Sequence, residues 1–275
     1  MKILVCFKIV PEFEQVVDDD WEHFDLATNI AYVKRSFGCF DETALETALR
    51  LKDALYAQGE KAECSALTLG SLPPSLCKTL FAAGFDRIHV LEASAGYSVA
   101  GTASAGYAGL EFKPWETAAV LEKFIRGGGW DLILAGRQTG YADTGMVPLI
   151  LAEKLSLPVI THVESLSPLG STGLSIDRCG ISSRERIAIR LPALLIMGNS
   201  PVSSLRAATL AAQLQAGKRK AELSAAGNAV GTGLEDAPQL IWERADKTCR
   251  FLPGGSDIGQ SAVAIIGQLK DWGFR

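Results

Sequence analysis

The sequence has no long hydrophobic run. None approaches the roughly 20 apolar residues that span a bilayer, so no membrane helix is expected. It has no excess of positive charge: 27 Lys and Arg stand against 31 Asp and Glu, a net charge of −4. That balance excludes a molecule-wide nucleic-acid footprint. Histidine is scarce, and His23, His89 and His162 lie beside no carboxylate or cysteine pattern, so each reads as structural. The six cysteines, Cys6, Cys39, Cys64, Cys77, Cys179 and Cys249, form no CxxC pair. A disulfide framework or a zinc site wants paired spacings, so reduced cytosolic thiols are expected. No GxGxxG follows the first strand, and no GxxxxGK[ST] or GxSxG occurs. This argues against an ordinary dinucleotide dehydrogenase, a P-loop ATPase and an α/β-hydrolase. Asp41, Glu42 and Glu185 fall near loops, but no spacing makes an acid–base pair of them. Met1-Lys2 leads straight into ILVCF without an h-region or cleavage site, so no signal peptide is read.

What remains is a globular composition: 275 residues, 48% hydrophobic and 21% charged, as in a soluble domain with appendages. Residues 2–8 read as a first strand that ends at Lys8 and is broken by Val10-Pro11. Residues 11–38 read as an irregular excursion carrying Asp18-Asp19-Asp20. A helix is expected from Phe40 to Gly59, with Asp41 as N-cap or with Thr43 and Glu46 in a second capping register. Strands are expected over 62–69 and 87–91, with a helix from Pro73-Pro74 to Gly84 between them. Residues 92–112 are rich in Ala, Gly and Ser and read as an insertion. Pro114 suits the first turn of a helix that runs to Arg126 and stops at Gly127-Gly128-Gly129.

Residues 130–157 hold the chain's most informative stretch. The apolar run Leu132–Ala135 has the character of a buried strand. A Gly-rich loop from Gly136 to Gly145 follows, then a helix from Met146 to Ser156. Such a junction is where ligands collect in a parallel α/β sheet, and a helix N-terminus favours phosphate. Asp143 would repel a phosphate if it pointed inward, so it reads as a helix cap or a partner for a sugar hydroxyl. The alternation of strands and helices predicts an α/β fold with a doubly wound parallel sheet. Beyond Pro158 the pattern changes. Residues 159–166, 174–178 and 187–195 read as strands without intervening helices, a hairpin at the sheet's edge. Residues 201–216 read as a helix, followed by the basic cluster 218–220. Residues 221–236 read as an extended arm, and a last helix runs from Ser261 to Trp272.

Several patches, in this order, resemble the β subunit of the electron-transfer flavoproteins, including the FixA-like branch. They are MKILVCFKIVPE at the start, FGCFDETALETALRLKDA at 37–54, LTLGS at 67–71 and LFAAGFDRIHVL at 80–91. LILAGRQ at 132–138 follows, then Asp143-Thr144-Gly145 with LAEKLSLPVIT, Arg184-Glu185 ahead of RLPALL, and ATLAAQLQAGKRK at 208–220. The resemblance implies an adenine-nucleotide-α-hydrolase-like core over 1–220 and a C-terminal arm over 221–275 contacting an α subunit. It implies AMP in the β pocket, or FAD reduced by NADH in electron-bifurcating members, with another FAD carried by the α subunit. Phe7, Lys8, Asp41, Thr68, Leu69 and Gly70 would line the adenosine side. Gly136, Arg137, Gln138, Asp143, Thr144 and Gly145 would line the ribose and phosphates. Glu185, Arg206, Leu210 and Leu214 would meet partners: the α subunit and a flavoprotein dehydrogenase or quinone oxidoreductase.

The expected protein is thus a cytoplasmic electron carrier rather than an enzyme on its own. The alternative from another class, a stand-alone adenine-nucleotide sensor, leaves the tail and the edge hairpin without a role. The chain departs from the family in several respects, among them Gly38-Cys39 where Asn-Pro is usual and the unusual stretches at 18–32 and 92–112. Its nucleotide loop is two residues shorter. Asp143 stands where a neutral residue is common. Ala211-Ala212-Gln213-Leu214 replaces a Pro-Asn-Ile-Met run.

Overall fold

A computed structural model describes residues 1–16, 33–93, 110, 113–141, 143–170, 173–180, 182–226 and 258–273. Residues 17–32 of the expected excursion, most of the 92–112 insertion and residues 227–236 of the arm lie outside them. The first half of the described chain runs β1 (Lys2–Cys6), β2 (Ile9–Pro11), β3 (Arg35–Phe37), α1 (Cys39–Ala57), β4 (Glu63–Leu69), α2 (Pro74–Ala83), β5 (Arg87–Ala93), α3 (Pro114–Arg126) and β6 (Leu132–Gly136). The second half runs α4 (Val147–Leu155), β7 (Val159–Leu169), β8 (Gly173–Cys179), β9 (Arg184–Arg190), β10 (Ala193–Met197), α5 (Leu210–Ala216), β11 (Glu222–Ala226) and α6 (Ile258–Asp271).

Nine strands form one sheet in the order β11-β5-β4-β1-β6-β10-β7-β8-β9. From β11 to β7 every pairing is parallel, and β8 and β9 extend the edge antiparallel. This is the doubly wound α/β sheet with an antiparallel edge that the alternation predicts. The central strands are buried on both faces, as their continuous apolar runs require. On one face Ile3, Val5, Ala66 and Leu134 pack with Leu45, Leu49, Leu80 and Phe85 of the α1 and α2 side. On the other, Leu4, Leu67, Ile133 and Leu194 pack with Ala118, Leu121, Ile150 and Leu151 of α3 and α4. From β1 the order steps outward to β4 and β5, then returns to β6 on the other side of β1. The strand order therefore reverses between β1 and β6, where a crevice opens at the strands' C-terminal ends.

Four local expectations need correction. Val10-Pro11 does not end strand structure: Ile9–Pro11 pairs antiparallel with Arg35–Phe37 in a separate two-stranded sheet. The single strand expected over 187–195 is two strands. β9 stops at Arg190, the Leu191-Pro192 bond is cis, and β10 starts at Ala193 in the middle of the parallel sheet. The helix expected over 201–216 is formed only from Leu210, where Thr209 accepts the Ala212 N–H as N-cap. Upstream of it, Glu42 and Glu46 of α1 accept the Leu205 and Arg206 N–H groups, which holds that stretch out of helix. Finally, Glu222–Ala226 is a strand, paired with β5 at the edge of the sheet.

Contacts divide the chain into Met1–Gly233 and Leu234–Arg275. In the second unit, α6 carries Val263, Ile266 and Leu269 at helical spacing. Among the described residues no helix is long and apolar enough to cross a membrane.

Candidate functional site

The crevice is built from the ends of β1 and β6, the first turn of α1 and the loop between β6 and α4. Its most buried polar group is Asp41. The residue lies in the first turn of α1 but does not cap that helix: the N-cap is Gly38, with no side-chain cap bond. The carboxylate instead accepts the N–H of Lys8, just beyond β1, at 2.9 Å. It also accepts the N–H of Gly136, at the end of β6, at 3.2 Å. One side chain thus ties α1 to both strands that flank the switch point. Burial pushes its pKa up to about 7, against the pull of these two N–H groups and the Lys8 charge.

Two glycines make this close approach possible. A Cβ on Gly136 would lie 2.5 Å from Asp41 Oδ1 and 2.7 Å from the backbone of Phe40 and Asp41. A Cβ on Gly38 would lie 2.7 Å from Asp41 Oδ2. A side chain at Gly136 would meet backbone and require α1 to move, while one at Gly38 would displace the Asp41 carboxylate.

The cleft encloses about 990 Å³, including space open to solvent. Its wall brings together three stretches far apart in sequence: Phe7 and Lys8, Asp41, and Gly136, Arg137, Gln138, Asp143, Thr144 and Gly145. Leu69 also lines it. Thr68 and Gly70 do not. Strand side chains alternate between faces: Leu67 belongs to the α3 and α4 side and Ala66 to the α1 side, so buried Thr68 falls with Ala66. Its hydroxyl has no hydrogen-bond partner.

The apolar wall was missed by sequence reasoning. Leu110, Pro114, Leu121, Met146, Val147 and Leu151 close the cleft between α3 and α4. For Leu121, Met146, Val147 and Leu151 the sequence signal was helical spacing, which marks a core face equally well. Cys6 also lines the cleft, and burial, with Asp41 adding to it, pushes its thiol up to about 12, which makes it inert as a nucleophile.

The cations are both placed by neighbours. Lys8 Nζ donates to the Tyr141 carbonyl at 2.7 Å and lies 5.4 Å from the centre of that ring. The Arg137 guanidinium sits 4.5 Å from the centre of the Phe40 ring. Its buried Nε has no hydrogen-bond partner among the described residues. The loop largely satisfies itself. Asp143 Oδ1 accepts the Gly145 N–H at 3.0 Å, and Thr144 Oγ1 accepts the Met146 N–H at 3.3 Å. Gly145 has φ +62°, a left-handed conformation that suits glycine.

The residues expected at partner surfaces are dispersed. Glu185 lies on β9 and forms an ion pair with Arg178 at 3.0 Å across the antiparallel edge. Arg206 is not available as a free cation. Its guanidinium donates to Glu46 and, at 2.6 Å, to Asp53. Leu210 and Leu214, one turn apart on α5, are 73% and 65% exposed.

Comparison with known proteins bears on this site. Residues 30–171 match the electron transfer flavoprotein domain family. The chain is 30% identical over 199 residues to the caffeyl-CoA reductase-Etf complex subunit CarD of Acetobacterium woodii. That alignment covers 71% of this chain and 67% of the relative.

Proposed function

The chain belongs to the electron transfer flavoprotein domain family, and from that membership we propose that it is the β subunit of a cytoplasmic heterodimer, holding AMP or FAD in the cleft at the β1/β6 switch point. The observation that carries the reading is the cleft itself. Residues expected to line a nucleotide converge from several separate stretches on one crevice, with the exceptions of Thr68 and Gly70. The lining also fits such a ligand. The Arg137 Nε, without a hydrogen-bond partner among the described residues, supplies a donor, and the α3–α4 wall is apolar.

In this reading Phe7 and Leu69 pack the adenosine, Lys8 and Arg137 offset phosphate charge, and Gln138 and Thr144 donate hydrogen bonds. A flavin, where bound, supplies the redox chemistry; the chain orients it and excludes water. The α subunit carries FAD, and a flavoprotein dehydrogenase or quinone oxidoreductase exchanges electrons with the pair. The relative's name, a subunit of an Etf complex, favours such a partner chain. The exposed Leu210 and Leu214, with Glu185 on the edge strand, are the proposed contacts.

The test is to purify the chain with its α subunit, release bound nucleotides with acid and identify them by mass. An adenine nucleotide in stoichiometric amount that is lost when Thr144 and Gly145 are both replaced by bulky residues supports the reading. Wild-type complex without any adenine nucleotide, even after incubation with AMP and FAD, refutes it.

A further inference from the structure

We propose that His89 is an acid-sensitive latch for β11, the last strand of the Met1–Gly233 unit, and that acidification frees β11 from the edge of the sheet. The inference is independent of what the cleft binds.

The strand is lightly held. It pairs with β5 alone, from Glu222 opposite His89 to Ala226 opposite Ala93, and ends the sheet on that side. It buries little apolar surface, since Leu223 is 64% exposed. Edge elements with few apolar contacts open at a lower free energy than the core. Just upstream the chain is fixed. The Arg219 guanidinium lies 4.0 Å from the centre of the Phe81 ring and donates to the carbonyls of Phe85, at 3.1 Å, and Asp86. Opening therefore has a hinge at Arg219, and what it releases is the β5–β11 pairing.

A charge cluster ties that pairing together on the α3 side. Arg87 Nε lies 3.2 Å from Glu63 Oε1 on β4 and 4.0 Å from Glu222 Oε1 on β11. His89 Nδ1 lies 3.3 Å from Glu222 Oε2. Three of the four side chains are partly open to solvent, while that of His89 is 8% exposed. The imidazole packs 4.9 Å from the ring centre of Phe124 on α3 and 6.3 Å from that of Trp130 ahead of β6.

A carboxylate oxygen only accepts, so the neutral imidazole carries its proton on Nδ1 and gives it to Glu222. A second proton must then enter at Nε2. That atom is buried and has no hydrogen-bond partner among the described residues. An imidazolium here would bury an N–H without an acceptor, which costs free energy that water repays once β11 lifts. The charged groups facing the ring are Glu222 from β11, Arg87 from β5 and Glu63 from β4. Burial lowers the His89 pKa and outweighs the opposing pull of Glu222 and Glu63, with Arg87 adding to the lowering.

The docked strand thus binds fewer protons than the free one. Docking is strongest above the ordinary His value of about 6.5 and weakens as pH falls from there towards the lowered value. One pH unit below the ordinary value, the open population rises by at most about tenfold.

The experiment is hydrogen exchange of the full chain, followed by mass spectrometry at about pH 7.5 and about pH 5.5 and normalised for intrinsic exchange rates. In wild type, protection of β11 relative to β10 should fall about three- to tenfold at the lower pH. His89→Asn keeps an amide N–H near the Nδ1 position and does not titrate, so the fall should vanish. Glu222→Gln, at a half-exposed position, removes the charge that favours an imidazolium and should deepen it. Asp41 also titrates in this window, but it is intact in both variants and cannot produce their difference. No fall in wild type, an equal loss of protection in β10, or a fall that persists in His89→Asn overturns the latch. A shallower fall in Glu222→Gln than in wild type does so too, even where His89→Asn fails to fold.

Discussion

Asp41 and Gly136 are 95 residues apart in sequence, yet the Asp41 carboxylate accepts the Gly136 N–H at 3.2 Å. That bond joins the first turn of α1 to the end of β6, and the same carboxylate holds Lys8 at the end of β1. The floor of the cleft is therefore a single buried acid with two backbone partners.

Because burial raises the Asp41 pKa to about 7, its ionisation disfavours the fold. An unfolded Asp titrates near 3.9. Its favourable contribution is fully present below that value and is lost as pH rises through about 7. Wild type should thus lose stability between these limits relative to Asp41→Asn, whose side chain does not titrate. Urea denaturation of both proteins across this range checks it; a pH-independent difference between them would contradict the assignment.

Gly136→Ala should destabilise more than an ordinary surface change. Its Cβ would meet backbone atoms of Phe40 and Asp41 at 2.7 Å, which cannot swing aside like a flexible side chain. A loss of about 2–3 kcal/mol is expected, in the range for overpacking. Thermal unfolding gives the loss, and nucleotide content should fall with it.

The Glu46–Arg206 pair should be structural. Burial works to raise the Glu46 carboxyl, but hydrogen bonds from Arg206 outweigh it and hold it below the ordinary range. Its contribution is therefore present at neutral pH and lost as pH falls through the lowered value. Arg206→Ala leaves a buried carboxylate with less compensation. The cost should be about 1–3 kcal/mol, less than for a fully buried pair because the Arg206 side chain is 31% exposed. Arg206→Lys should recover only part of it, since lysine lacks the planar fork that reaches Glu46 and Asp53 together. Denaturant midpoints of the three proteins decide this.

Leu210→Asp and Leu214→Asp should leave stability within about 0.5 kcal/mol, as for most exposed positions. If α5 meets an electron-transfer partner, both should slow reduction of the heterodimer by that partner. Stopped-flow traces at increasing partner concentration would show the loss as weaker saturation.

The sequence by itself determined the class of fold and the alternation of main-sheet strands and helices in its first half, though not the β2–β3 pair. Apolar runs of strand length, amphipathic stripes and Gly and Pro stops are local signals, and local signals survive without coordinates. It also marked Lys8, Asp41 and the 136–145 loop as residues near strand ends. Only the tertiary structure decided what those residues do to one another. Asp41 read as a helix cap because Ser, Thr, Asp and Asn before a helical stripe usually are caps. Its actual partners lie 33 and 95 residues away, and no local pattern encodes them. For the same reason the 201–209 stretch read as helix: the carboxylates of Glu42 and Glu46 that claim its N–H groups belong to α1. The resemblance alone places Thr68 at the site, and the period of two in a strand turns it to the face opposite Leu67 and Leu69. The apolar wall of the cleft was silent in sequence, since a helix face against a ligand and a helix face against a core carry the same residues.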